Sequence, residues 1–175
     1  LEASGFVLRA WSPADAPLLE ATLAASDAHL RPWTPWVITG KVPGLTLEER
    51  LARHAEDWQA GREWIYGIFT SDERELLGGC GLHPRIGPGA VEIGYWLAER
   101  ATGRGVATAA ASLLTSTAFG PPHMERVEIR VEPRNVRSAM VPQRLGFAHA
   151  GQVEAHGTTL DVWAMARERW AAGRA

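Results

Sequence analysis

Apolar and polar side chains alternate from Phe6 to Trp11, the period of a half-buried strand. Ser12-Pro13-Ala14-Asp15 then carries helix-start signals: a serine N-cap, a proline at the first helical position and an acid in the first turn. The spacing predicts a helix through about Ala25, with Leu18, Leu19 and Leu23 on one side. His29 to Pro35 contains two prolines and reads as loop. A capping box, Thr46 with Glu49, opens a second predicted helix. Leu47, Leu51, Ala55 and Trp58 fall on one face of it, and Gly61 ends it. Trp64 to Thr70 and Glu75 to Leu82 read as a hairpin joined by the polar turn Ser71 to Arg74. After the turn Pro84 to Gly89 comes a fourth strand, Val91 to Leu97, and a third helix, Val106 to Phe119, that Gly120-Pro121-Pro122 stops. Val127 to Val131 alternates, with Glu128 and Arg130 expected to face outward. Asn135 caps a short helix ending at Gly146. Two more strands, Phe147 to Val153 and Leu160 to Ala166, precede a tail, Arg167 to Ala175, expected to be exposed or frayed.

This order is β-α-α-β-β-β-α-β-α-β-β. It predicts an α/β (α+β) fold: a mixed sheet with helices on both faces. No internal repeat or linker interrupts it, so residues 1–175 read as one domain.

Between the fourth strand and the third helix lies Arg100-Ala101-Thr102-Gly103-Arg104-Gly105-Val106-Ala107. Two glycines before a helix N-terminus let several backbone N–H groups point at one anion, where the macrodipole is positive. Arg100 and Arg104 offer charge-assisted hydrogen bonds. Residue 108 is threonine, so the stretch is not a dinucleotide fingerprint, and no Gly-Lys-Ser/Thr follows, so it is not an ATP-binding P-loop. From the glycines alone, a phosphate site and an ordinary tight turn both remain open.

The wider pattern narrows the choice. Arg100-x-x-Gly103-x-Gly105-x-Ala107 resembles the acyl-CoA pyrophosphate loop of the GNAT superfamily of N-acetyltransferases. Glu92-Ile93-Gly94-Tyr95-Trp96-Leu97 is similar to the preceding strand in the branch of ribosomal-protein alanine acetyltransferases. Asn135-x-x-Ser138 with Arg144-Leu145-Gly146-Phe147 is similar to that branch's next motif. The resemblance implies a GNAT-like fold whose predicted fourth and fifth strands splay apart to hold acyl-CoA. It implies acetyl-CoA as cosubstrate, a primary amine as acceptor and direct attack of that amine on the thioester. Cofactor contacts would come from Tyr95, Trp96, Leu97, Arg100, Gly103, Arg104, Gly105, Val106, Ala107 and Asn135.

Direct acyl transfer needs a proton acceptor for the amine, a donor to the thioester oxygen and a proton for the leaving thiolate. By resemblance Glu92 is the general base. Alternation puts it on one face with Gly94 and Trp96, although a strand glutamate without a task would look the same. Ser138 is the candidate acid, and N3 serine of the helix is its alternative role. Many GNAT enzymes carry a tyrosine acid where this chain has Pro142, which is expected to kink or shorten the helix. In the loop, Trp33 and Trp36 could wall the acceptor pocket and Arg31 could meet an acidic group, or the tryptophans could cap the core. His83 ends a strand within reach of the site.

Composition removes some classes. The net charge is −2, with no footprint for nucleic acid or an anionic membrane. No apolar run approaches the ~20 residues of a membrane span. Cys80 is the only cysteine, which excludes an intrachain disulfide, and no histidine spacing suggests a metal. Without signal-peptide regions at Leu1 to Ser4, the expectation is a cytoplasmic protein. A homodimer is an expectation that no single segment carries. Two alternatives stay beside the acetyltransferase: a module that binds acyl-CoA without turnover, and an enzyme using another acyl-CoA such as succinyl-CoA.

Overall fold

The computed structural model describes residues 1–3, 5–35, 37, 44–155 and 157–173. Its strands are β1 (Glu2–Ala3), β2 (Phe6–Ala10), β3 (Trp64–Thr70), β4 (Leu76–His83), β5 (Ala90–Leu97), β6 (Arg126–Val131), β7 (Ala148–Ala155) and β8 (Thr158–Ala166). The helices described are α1 (Ala16–Ala25), α2 (Asp27–Leu30), α3 (Leu47–Gln59), α4 (Val106–Ala118), α5 (Val136–Arg144) and α6 (Arg167–Ala172). The strand order is β1-β2-β3-β4-β5-β6-β8-β7. The β5–β6 pair is parallel, whereas β1–β2, β2–β3, β6–β8 and β7–β8 are antiparallel. The mixed sheet expected from the alternation is therefore present. The strand at Val91 becomes the fifth, because Glu2–Ala3 forms a two-residue β1 held by backbone pairing to Phe6 and Val7.

The residues group into two compact units, Leu1–Gly81 with Tyr95–Ala110, and Leu82–Gly94 with Ala111–Ala175. In the first, Trp11, Leu19, Leu23, Leu30, Leu51, Phe69 and Leu76 form a buried cluster, with Trp96 packed against it. Trp11 meets Phe69 edge to face at 5.6 Å, a favoured aromatic geometry. Both predicted caps form. Ser12 and Asp15 exchange side-chain and backbone hydrogen bonds before α1, as Thr46 and Glu49 do before α3. Asp15 also takes a two-pronged grip from Arg9, at 2.8 Å on each oxygen. The loop expected from His29 is instead the end of helix α2, because Leu30 is buried and anchors the turn. The prolines act only afterwards.

Gly78 and Gly79 seat β5 closely on β4. A Cβ on Gly78 would lie 2.2 Å from the Trp96 carbonyl oxygen, and one on Gly79 would lie 2.5 Å from Trp96 Nε1. Only bare backbone fits there.

In the second unit the β5–β6 register runs from Ala90↔Arg126 through Glu92↔Glu128 to Ile93↔Ile129. Glu128 was expected to face outward, but it is 4% exposed. Alternation identifies one face of a strand but not which face is covered, and here ion pairing lets the charged face be buried. The tail is exposed as expected at Glu168, Arg169 and 171–173, but it is helical and anchored at its start. Arg167 donates to the carbonyls of Met124 (2.8 Å), Phe119 (2.7 Å) and Pro121, and α6 starts at that residue. One guanidinium satisfies the carbonyls left by the end of α4 and the turn after it.

Candidate functional site

The glycine loop belongs to the first unit. Ala98 N–H donates to the Leu77 carbonyl at 2.9 Å and Glu99 N–H to Ser26 Oγ at 3.2 Å, which fixes the chain as it leaves β5. A short 3-10 turn, Glu99–Ala101, follows. Gly103 and Gly105 then take φ of +74° and +79°, and a Cβ on either would meet nothing within 4 Å. Both glycines are thus required by the left-handed backbone and not by packing. The first helical hydrogen bond of α4 runs from Ala109 N–H to the Gly105 carbonyl at 3.0 Å. The N–H groups of Val106, Ala107 and Thr108 therefore precede any intrahelical acceptor, the position at which a helix start can receive an anion. Arg104 is exposed beside them. Arg100 turns toward β4, donating to the Leu76 carbonyl at 3.1 Å and approaching Glu75 at 3.4 Å. Tyr95, Trp96 and Leu97 occupy the last residues of β5 and are half-buried.

Arg31 pairs with Asp27 one helical turn away, its Nε 3.0 Å from Oδ2, and is exposed. Trp33 is half-buried in the turn after α2, its N–H donating to the Leu30 carbonyl at 3.0 Å. Trp36 lies outside the described residues.

Glu92, His83, Asn135 and Ser138 lie in the second unit. Glu92 is 8% exposed and is gripped by Arg85, with Nη2 at 2.7 Å from Oε1 and Nε at 3.0 Å from Oε2. His83 is buried too, and a Cβ on Gly94 would lie 3.1 Å from its Nε2. The space at Gly94 is thus taken by the His83 side chain. Across the β5–β6 register, Glu128 accepts from Arg130 Nε and Nη2 at 3.1 and 2.9 Å and pairs with Arg126 at 3.1 Å. Arg130 Nε also lies 3.9 Å from Glu92 Oε2. Two carboxylates placed side by side by strand register are thus offset by three guanidiniums. Bidentate arginine pairs hold carboxylates in a fixed plane as well as neutralising them. Sequence reasoning missed this network. The available signal was Arg126-x-Glu128-x-Arg130, three charges on one face of one strand.

Asn135 caps α5, its Oδ1 accepting from Ser138 N–H at 3.2 Å, so its capping role is realised. Ser138 is half-buried in the first turn. Pro142 is four residues on and lacks the N–H that would bond the Ser138 carbonyl, yet α5 continues to Arg144. A surface groove of about 710 Å³ in this unit is lined by residues including Arg126, Ala164, Ala166 and Arg167, and it contains none of the candidate residues. Among the described residues, no group of three or more His, Cys, Asp or Glu side chains is arranged to hold a metal, and no helix is long and apolar enough to cross a membrane.

Comparison with known proteins supplies independent findings. A family model described as an acetyltransferase (GNAT) domain matches residues 6–148. The probable N-acetyltransferase YjcK of Bacillus subtilis is 31% identical over 118 residues, covering 66% of this chain and 65% of that protein. The chain thus spans just under two thirds of that relative's length. The [ribosomal protein uS5]-alanine N-acetyltransferase of Escherichia coli is 25% identical over 147 residues, covering 83% of this chain and 76% of that protein. Among solved structures, the microcin C7 self-immunity acetyltransferase MccE, in complex with acetyl-CoA and AMP, superposes with a TM-score of 0.82. It is 17% identical, with 94% of this chain and 93% of that chain covered, a likeness of fold.

Proposed function

The chain belongs to the GNAT acetyltransferase domain family, and from that premise we propose that it moves an acetyl group from acetyl-CoA to a primary amine, either a protein N-terminus or a small-molecule amine. The observation that carries this reading is the left-handed turn at Gly103 and Gly105, which opens the helix start at Val106 where the family pattern expects the pyrophosphate. The names of the relatives support the activity, and MccE's bound acetyl-CoA supports the cosubstrate. We read residues 1–175 as one such domain, supported by a single family match across residues 6–148.

In this reading the diphosphate takes the N–H groups of Gly105, Val106 and Ala107, with Gly103 shaping the turn and Arg100 and Arg104 adding positive charge. Asn135 contacts the CoA arm. Backbone N–H groups of Tyr95, Trp96 and Leu97 hold the pantetheine and polarise the thioester carbonyl. The register of β5 with β6 ends at Ile93 while β5 continues to Leu97, which supports that role. The neutral amine attacks the thioester carbon and its lone pair becomes the new C–N bond. The C–O π pair moves to oxygen, then returns as the C–S bond breaks. Glu92, directly or through water, takes the amine's proton and later releases it to solvent, and the Ser138 hydroxyl gives a proton to the CoA thiolate and regains one from solvent. A carboxylate has about four lone-pair sites, so the two bonds from Arg85 leave Glu92 capacity to accept a proton. His83 beside Gly94, and Trp33, Trp36 and Arg31, are the candidate acceptor contacts.

One observation favours a second reading, acyl-CoA binding without turnover: both Glu92 oxygens are already engaged by Arg85. Turnover separates the two. With acetyl-CoA and a peptide beginning in alanine, the wild type should release CoA thiol. Glu92→Gln should lose about 10²–10⁴-fold in kcat while binding acetyl-CoA normally. An equally active Glu92→Gln variant would remove Glu92 from the mechanism.

A further inference from the structure

We propose that Arg85 is a positioning residue for the reaction, holding the Glu92 carboxylate in one plane and one rotamer. The inference rests on the reading of Glu92 as general base. The turn between β4 and β5 delivers it: Arg85 N–H donates to the His83 carbonyl at 2.9 Å, and Gly87 and Gly89 take φ of +111° and +67° to bring the chain back. That path returns the side chain seven residues along the sequence onto Glu92, where its fork matches both oxygens at 2.7 and 3.0 Å.

The groups around Glu92 show why a dedicated holder is needed. Glu128 of β6 sits opposite it in register and repels it. Arg130 of β6 is 3.9 Å away but gives its hydrogen bonds to Glu128. His83 of β4 packs at Gly94, two residues along the same face. Arg85 is therefore the cation that grips both Glu92 oxygens, at 2.7 and 3.0 Å. Its side chain is 43% exposed against 10% for Glu92, so removing it opens little core but frees the carboxylate to swing toward Arg130 or solvent. A bidentate fork fixes orientation in a way that a lysine point charge does not.

The test is a kinetic cycle with acetyl-CoA and the alanine-starting peptide, following thiol release for wild type, Arg85→Ala, Arg85→Lys, Glu92→Gln and Arg85→Ala/Glu92→Gln. Calorimetric binding of acetyl-CoA reports that each variant is folded. Misplacing a reacting group by about 1 Å can cost on the order of 10²-fold, so Arg85→Ala should lower kcat by about 10- to 100-fold with the KM for acetyl-CoA unchanged. Arg85→Lys should recover part of the loss. In the Glu92→Gln background Arg85→Ala should have no further effect, since a holder has nothing left to hold. If Arg85→Ala does not fold, the Arg85→Lys/Glu92→Gln cycle decides by the same criterion. Multiplicative losses, or an unchanged kcat for Arg85→Ala beside an inactive Glu92→Gln, would overturn the proposal. A fully active Glu92→Gln would instead remove the general-base reading on which it stands.

Discussion

Replacing Gly78 by alanine tests the seating of β5 on β4. The new Cβ would lie 2.2 Å from the Trp96 carbonyl oxygen and 2.9 Å from Leu97 Cα and Cδ2. Carbon and carbonyl oxygen approach comfortably at about 3.3–3.6 Å, so one strand must shift by about 1 Å. Two of the three contacts are backbone, and no side-chain rotation relieves them. Overpacking of this kind costs about 1–3 kcal/mol, while the stiffer unfolded chain returns about 0.4–1 kcal/mol. With a backbone clash this close, the middle of both ranges applies, about 2 less about 0.7 kcal/mol, and the net loss is about 1–2 kcal/mol. At about 2–4 °C per kcal/mol for a chain of this length, the melting temperature should fall by about 2–8 °C. Thermal unfolding followed by circular dichroism measures it. The displaced stretch contains Tyr95, Trp96 and Leu97, so calorimetry should also find weaker acetyl-CoA binding. A Gly78→Ala protein that melts with the wild type and binds acetyl-CoA equally well would refute both the close seating and the role given to this strand end.

Gly105→Ala should behave in the opposite manner. Its Cβ meets nothing within 4 Å, so only the left-handed backbone penalises it, by about 1–2 kcal/mol, while acetyl-CoA affinity drops at least about tenfold by calorimetry. Unchanged affinity would exclude the turn as the diphosphate site. Asp15 gives a pH dependence. Burial works to raise its pKa, but the Arg9 fork and the Ser12 N–H together hold it below the usual carboxylate range. Its contribution to stability is therefore fully present above the unfolded value of about 3.9 and is lost as pH falls through the lower folded value. Urea midpoints measured from neutral to acid pH should fall over that window in the wild type. Asp15→Asn, about 1–3 kcal/mol less stable at pH 7, should show a shallower acid decline, and parallel curves would show that the pair does not couple to folding.

Local signals were legible in the sequence wherever one residue type answers one backbone need. Ser12 with Asp15 and Thr46 with Glu49 marked helix starts, Gly61 marked a stop, and Gly103 and Gly105 marked the left-handed turn before Val106. The β3 boundaries at Trp64 and Thr70 followed from apolar character bounded by polar turns. What stayed hidden depends on register and on partners distant in the chain. Glu128 reads as outward from its strand alone, and only pairing with β5 reveals it beside Glu92 among Arg85, Arg126 and Arg130. Arg85 sits in a turn, where an arginine is usually solvated, and its task is visible only once the turn folds back. Gly78 and Gly79 lack positive φ and any motif, and their reason is Trp96 across the ladder. Arg167 looks like a frayed tail because the carbonyls it satisfies lie more than forty residues upstream.

Calorimetric titration of the folded protein with acetyl-CoA, with ATP as the comparison, reads out whether the glycine turn serves an acyl-CoA. Saturable micromolar binding of acetyl-CoA and none of ATP is expected, since the loop is proposed to hold a diphosphate and lacks the lysine of a nucleotide-binding P-loop. No binding of acetyl-CoA at millimolar concentration, or equal binding of ATP, would contradict it and return the loop at Gly103 and Gly105 to an ordinary turn.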